Sequence, residues 1–440
     1  MMRLRFSLLV FFIMAIAFNG RSIAQQKLSL TVDQAVDIGL KNSKALHLSL
    51  MKLKYSEAKL SEVNAARLPS IKLSAAYRRL SNVPTSTIST PFGNFEVQPT
   101  ILDNYTSQLT IFQPLFLGFR LSSSSDIAEQ TAKASNEDYN KDRSDLIFNV
   151  KNAYWSLFKA AQMKNVMDET VDQAKAHVAD AKNLLNAGML TKNDLLKLEV
   201  QLSDLMFKQV DADNAVQLAN VALNSVLCIP LDTQIEIASS TQFDSQDYDA
   251  LNRLIDEAVQ KRPEIKSADY RIKASEAGVT MAQSSWYPQI SLVGDYYYNR
   301  PNQRIFPAKD EFRGTWDAGV NVSLNIWDWL TTAHQTEQAE TQLSQSLDAR
   351  GIMKDNITLE VTQNYLNFEQ AKKKIEISEF GVKQAEENMR VTEDKFKSGM
   401  ALSSEVVDAE TALSTAKLNQ TNSKVDYELA KARLDKSIGK

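Results

Sequence analysis

Residues 56–77 read SEAKLSEVNAARLPSIKLSAAY, and residues 275–296 read SEAGVTMAQSSWYPQISLVGDY. The two stretches lie 219 positions apart, and Pro69 falls on Pro288, Ile71 on Ile290, Leu73 on Leu292 and Tyr77 on Tyr296. Working outward, the match begins at 35 and 254, with Asp37 on Asp256 and Lys54 on Lys273. Beyond the alternating segments the offset becomes 211: Phe116 meets Trp327, Tyr154 meets Tyr365, Gly188-Met189 meets Gly399-Met400, and Glu199 meets Glu410. The chain is therefore two copies of one long unit, and a duplication of that period decides the architecture.

Each copy holds a very long helical stretch. All ten prolines lie outside 115–229 and 308–440, so these two regions read as helix almost throughout. In the second, Val361, Phe368, Ile375, Val382, Met389 and Phe396 recur every seven residues. A row of small residues, Asn364, Ala371, Ser378 and Ala385, is offset by three. The first copy keeps the register with Val150, Leu157, Val171, Val178 and Leu185, Lys164 being the exception. A strict heptad predicts a left-handed supercoil, and large residues facing small ones predict close packing. Each long helix ends at a glycine, Gly188 or Gly399, where a left-handed cap is expected. Polar residues follow: Thr191-x-x-Asp194 is close to a capping box, and Ser403-Ser404-Glu405 offers hydroxyls and an acid to a helix start. Return helices carry Leu195, Leu202, Val216 and Leu223, broken by Gln209, and Val406, Leu413, Tyr427 and Leu434, broken by Gln420. Each copy thus predicts a long antiparallel helical hairpin. Gly351 and Gly381 are expected to mark close packing or a bend in the second long helix.

Before each helical hairpin come two alternating segments: 70–78, 105–111, 290–298 and 318–327. In the first, Ile71, Leu73, Ala75 and Tyr77 alternate with Lys72, Ser74, Ala76 and Arg78. Segments of about ten residues are the length of a tilted strand crossing a bilayer. Aromatics gather at their ends: Phe112, Phe116, Trp286, Tyr287, Trp316, Trp327 and Trp329, as in an interfacial girdle. Long loops, 79–103 and 299–315, close one end of each pair, and the other end runs into the helices. Four strands cannot close a barrel and lipid forbids an open edge, so spanning strands require several copies of the chain.

Composition narrows the function. Arg3 and Arg5 precede an apolar run from Ser7 to Phe18, and Ser22-Ile23-Ala24 offers a cleavage site, so 1–24 is expected to be a signal peptide. Losing Arg3, Arg5 and Arg21 takes the net charge from −4 to −7, and no basic stripe points to nucleic acid. Cys228 is the only cysteine, which excludes an intrachain disulfide. His47, His177 and His334 stand far apart in sequence and give no metal or acid–base cluster. There is no nucleophile–base pair and no phosphate loop, so neither an enzyme nor a cofactor is expected. The expected domains are the signal, a first repeat over 25–230, an equatorial linker over 231–250 and a second repeat over 251–440. The repeats hold strand hairpins over 70–115 and 289–327 and helical hairpins over 124–228 and 331–438.

With these elements in this order the chain resembles the TolC-type outer-membrane efflux proteins. The most specific local match is Gly399 followed after five residues by Glu405-Val406-Val407-Asp408-Ala409, with the weaker counterpart Gly188 and Asp194-Leu195-Leu196. The resemblance implies a homotrimer whose membrane β-barrel has twelve strands, four from each duplicated protomer, above an all-α coiled-coil barrel in the periplasm. It implies a tip that docks on a periplasmic adaptor coupled to an inner-membrane transporter, with Gly188, Met189, Asp194, Gly399 and Met400 at the tip turns. It further implies that Glu405 and Asp408 line an acidic ring at the closed aperture. The bland reading of the two acids is a helix-dipole residue and a solvated face. Ala401 occupies the place where some relatives carry a latching arginine opposite an acid such as Asp194. The competing reading of the whole chain is a periplasmic coiled-coil adaptor without a pore. Such an adaptor has one helical hairpin flanked by small β domains, rather than two hairpins and four aromatic-capped strands.

Overall fold

A computed structural model describes residues 28–81, 84–238 and 247–440. The expected signal peptide, and part of the linker over 231–250, lie outside the described residues. The elements in order are β1 (Leu28–Leu30), α1 (Val32–Asn42), α2 (Lys44–Ala65), β2 (Ser70–Arg79), β3 (Ser86–Thr90), β4 (Gly93–Gln98), β5 (Asp103–Leu117), α3 (Arg120–Asn186) and α4 (Lys192–Leu227). Then follow β6 (Ile235–Ile237), α5 (Leu251–Lys261), α6 (Pro263–Ala282), β7 (Gln289–Asn299), β8 (Arg313–Ser323), α7 (Thr331–Lys397) and α8 (Ser403–Ser437). Two compact units result: one holds the residues up to His47 with Asp142–Ala258 and Leu359–Lys440, the other Leu48–Lys141 with Val259–Thr358. Among the described residues no helix is long and apolar enough to cross a membrane.

The second unit contains an antiparallel sheet of order β2–β5–β7–β8. Cross-strand register gathers the alternating residues into rows. Ile71, Ile111, Gly294 and Ala318 form one row, and Leu73, Leu109, Tyr296 and Trp316 another on the same face. The opposite face carries Lys72, Thr110, Asp295 and Asp317, then Ser74, Gln108, Tyr297 and Thr315. A bulge between Pro114 and Phe116 inserts one residue, so Phe116 pairs with Ile290 on the apolar face. β8 differs from the expected 318–327. It starts at Arg313 and stops at Ser323, because Ser323 pairs with Gln289, the first residue of β7, and nothing of β7 remains for Leu324 to pair with.

The other unit is helical apart from a parallel β1–β6 pair. The large heptad rows are its core: Val150, Leu157, Val171, Val361, Phe368, Val406 and Leu434 are all buried. The two breaks in the first hairpin meet each other. Lys164 bonds Asp168 at 2.9 Å and Asp213 at 2.7 Å, while the Gln209 amide donates to Asp168 at 2.6 Å. One polar layer between α3 and α4 thus satisfies both residues, and the Gln209 bond, then Lys164, holds the Asp168 carboxyl below its usual range. Gly351 and Gly381 do not interrupt α7, and a Cβ at either would meet nothing within 4 Å. The close packing expected there is therefore not made within the described chain.

Candidate functional site

The two tip turns are built alike. Gly188 and Gly399 adopt φ of 72° and 71°, the left-handed region where a side chain is strained. Met189 N–H donates to Leu184 at 2.9 Å and Gly188 N–H to Leu185 at 3.0 Å. Met400 N–H donates to Lys395 at 2.8 Å and Gly399 N–H to Phe396 at 2.9 Å. This paired pattern satisfies the last carbonyls of each long helix. The turns also meet, since a Cβ placed on Gly399 would lie 3.5 Å from Met189 Cε.

The return helices start differently. Thr191 caps α4 by accepting the Asp194 N–H at 3.2 Å, and its hydroxyl donates to the Asp194 carboxylate at 2.5 Å. At α8 the cap is Leu402, not a serine: its N–H donates to the Glu405 carboxylate at 3.2 Å. Ser403 lies one residue inside the helix, buried, and its hydroxyl donates to Asp194 at 3.2 Å. Asp194 is thus linked to the second hairpin through the Ser403 hydroxyl. Position 401 is an alanine and offers Asp194 no ion-pair partner, so the contact from α8 to Asp194 is the Ser403 hydroxyl. The Thr191 bond, with help from Ser403, holds the Asp194 carboxyl below its usual range. Glu405 and Asp408 are both exposed on α8, and Glu405 is engaged as a helix cap.

The sequence reading missed Glu410. It is 3% exposed on α8. In sequence it lies between Val406 and Leu413, two members of the cluster where Val178, Leu195, Leu198, Met389 and Phe396 from α3, α4 and α7 also meet. Among the described residues its Oε1 has no hydrogen-bond partner. Burial alone pushes its pKa up to about 7. His177 on α3 is buried too, and desolvation holds its pKa below the usual value. A second missed feature is a second heptad row. Ile352, Leu359, Leu366 and Phe380 run along α7, and Val200, Phe207 and Val221 along α4, all exposed. The same seven-residue count that found the buried row would have found these, two positions earlier on α7.

The apolar face of the sheet is uncovered, and β2 is exposed on both faces. Leu73 is 73% exposed, Trp316 74% and Val320 63%, whereas Asp295, Gln108 and Thr110 are partly sheltered. Trp327 and Trp329 follow β8 in an edge-to-face pair at 5.7 Å. Trp286 is half exposed just before β7, and Phe116 and Tyr287 make edge contacts with Phe119 at 5.2 and 5.3 Å. Phe112 departs from the girdle. It pairs with Ser70 and Val293 in a row of the polar face, because its parity is that of Gln108 and Thr110.

Comparison with known proteins agrees with this geometry. The family described as outer membrane efflux protein matches residues 35–228 and 254–440. The chain belongs to that family of outer-membrane channels, and its place is the outer membrane. It is 24% identical over 326 residues to the outer membrane protein TolC of Vibrio cholerae, covering 71% of this chain and 72% of that one. It is 24% identical over 325 residues to protein CyaE of Bordetella pertussis, covering 72% of this chain and 65% of the relative. Among solved structures, CusC superposes with a TM-score of 0.79 at 17% identity over 95% of both chains. The Campylobacter jejuni CmeC outer membrane channel gives 0.77 at 17% identity, covering 93% of this chain and 85% of that one.

Proposed function

We propose that three copies of the chain close their sheets into one twelve-stranded barrel in the outer membrane and their helical hairpins into a periplasmic tunnel. The assembly is the passive exit duct of a tripartite efflux system. It receives small toxic compounds or polypeptides from an inner-membrane transporter through a periplasmic adaptor seated on the tip turns. The observation that carries this reading is the sheet itself: its apolar face is uncovered while β2 and β8 each keep an open edge among the described residues. Lipid covers such a face, and only a neighbouring strand satisfies such an edge. The uncovered rows on α4 and α7 support the same assembly, because each is a coiled-coil seam without its partner. A relative named toxin and drug export protein A, 23% identical over 299 residues, supports the class of cargo.

In the trimer, Glu405 and Asp408 place six carboxylates around the tip mouth and favour cations there. The mass of the purified protein in detergent, measured by light scattering, tests the assembly: a trimer is expected and a monomer overturns it. In planar bilayers, Glu405→Ala combined with Asp408→Ala is expected to weaken cation selectivity. Unchanged selectivity removes the acidic ring and leaves the channel standing.

A further inference from the structure

The loop between β7 and β8 is anchored at defined points. Arg300 exchanges two backbone hydrogen bonds of 2.8 Å with Tyr105, and its guanidinium donates to both oxygens of Asp310 at 2.8 and 3.0 Å. Asn302 is buried; its amide donates to the Arg313 carbonyl at 2.9 Å and to the Thr315 hydroxyl at 3.2 Å, and its oxygen accepts the Arg304 N–H at 3.0 Å. These anchors lay Arg304 on the polar face of the sheet. There its guanidinium stands 4.1 Å from the centre of the Tyr297 ring and forms an ion pair with Asp317.

Asp317 sits directly opposite Asp295 across the β7–β8 ladder. Two carboxylates at that spacing repel and weaken a sheet unless they are compensated. Asp295 is held by the Thr110 hydroxyl at 2.5 Å and the Gln108 amide at 2.9 Å, which are neutral donors. Arg304 supplies the positive charge. The arrangement belongs to the second repeat alone, because the positions matching Asp295 and Asp317 in the first are Ala76 and Thr106.

Resting on the channel reading, in which the polar face lines the lumen, we propose that Arg304 is a specificity-determining residue. It caps the Asp295–Asp317 pair near the middle of the β7–β8 ladder, and its withdrawal exposes an acidic belt that favours cationic solutes. A guanidinium stacked on Tyr297 and paired with Asp317 marks the place where a cationic group of the cargo is stabilised in passing. This charge control is separate from Glu405 and Asp408, which sit on α8 at the tip turn.

The test is the reversal potential of the full-length protein in planar bilayers under a potassium chloride gradient. Arg304→Gln is expected to raise the potassium-to-chloride permeability ratio by about twofold or more, and Arg304→Lys to keep the wild-type ratio. Asp317→Asn, which leaves the arginine uncompensated, is expected to move the ratio toward chloride. Heat-modifiable oligomers on gels check assembly of each variant. Should Arg304→Gln fail to assemble, Asp317→Asn decides alone, and a wild-type ratio in that variant overturns the proposal. Wild-type ratios in both variants overturn it and leave the channel reading intact. Wild-type protein that passes no current overturns the channel reading, and the role of Arg304 falls with it.

Discussion

Lys182 and Glu199 face each other across the first helical hairpin at 3.3 Å, and the positions 211 further on hold Glu393 and Glu410. The first copy keeps an exposed ion pair. In the second, Glu393 turns to Lys397 on its own helix at 2.6 Å, and Glu410 is buried with no hydrogen-bond partner for its Oε1 among the described residues. The same position is thus solvated on α4 and desolvated on α8. The difference lies in what covers each helix. The buried face of α8 extends from Val406 and Leu413 to Ser403, Ala409, Glu410 and Ser414, whereas α4 leaves Val200, Phe207, Val210 and Leu218 uncovered. Duplication repeated the backbone plan, and the two return helices differ in how much of each their own chain covers.

The largest break in this comparison is expected from charging the uncovered rows. Phe207→Asp together with Leu366→Asp places carboxylates in the two exposed rows, which the proposed assembly would bury. Removing such a side chain from a core costs about 2–5 kcal/mol, and an unpaired charge adds to it. The expected outcome is loss of the trimer in detergent light scattering, with the helical circular dichroism of the protomer retained.

The next effect sharpens the burial contrast through pH. The ordinary value for Glu410 is 4.5 and its folded value is about 7, so the folded chain holds the proton more tightly than the unfolded one. Its carboxyl therefore costs nothing below pH 4.5, and stability falls as pH rises from there to about 7, by on the order of 3 kcal/mol in all. His177 works in the other direction. Its folded pKa lies below 6.5, so stability is complete above 6.5 and is lost as pH falls through the lowered value. Charged groups on the same four helices are paired with one another: Lys417 with Glu169, Lys182 with Glu199, Glu393 with Lys397, while Asp194 binds Thr191 and Ser403. Hydrogen exchange of the 403–414 amides, corrected for intrinsic rates, reads the result. Glu410→Gln is expected to flatten the limb between pH 4.5 and 7, while Glu199→Gln leaves it unchanged.

Much of this contrast was legible before the fold was known. The duplication, the heptads and the two glycines carry the helical hairpins, because seven-residue spacing and a left-handed cap are local signals. Period-two alternation identified the strands, and the cross-strand register then assembled their apolar residues on one face. What the sequence hid was non-local. Glu199 and Glu410 align, yet their burial depends on a second layer of helices that a single heptad row does not report. Phe112 reads as an interfacial aromatic until the register assigns it to the polar face. Trp329 and Leu330 adopt φ of 54° and 65° at the turn into α7, and no residue type there announces a left-handed backbone. In the first copy Gly118 and Phe119 make the equivalent turn, where a Cβ on Gly118 would lie 2.1 Å from the Ser284 carbonyl. Arg304 reads as a loop residue, since its partners come from β7 and β8.

A smaller effect separates the two starts of the return helices. Thr191→Ala removes a hydroxyl that caps α4 and orients Asp194, and the loss is expected to be about 1 kcal/mol. Ser403→Ala removes only the link from α8 to Asp194 and leaves the α4 cap in place. Chemical denaturation of the two single variants and the double variant measures the coupling. Additive losses show that the link from Ser403 to Asp194 is independent of the cap, and a smaller combined loss shows that Thr191 aims the carboxylate at Ser403.

The smallest effect is expected where the contrast began. Lys182 and Glu199 have side chains 55% and 39% exposed, so water and salt screen their attraction. Lys182→Ala is expected to cost less than about 1 kcal/mol, and that cost should vanish at about 1 M salt, where the screening length is near 3 Å. The penalty at Glu410 comes from lost hydration and should persist at the same salt concentration. Denaturation midpoints of Lys182→Ala and Glu410→Gln, taken at low and high salt near pH 7, therefore distinguish the mechanisms. If the Glu410→Gln gain also disappears with salt, the carboxyl is reached by ions from solvent, and the burial that distinguishes α8 from α4 is not retained in the assembled protein.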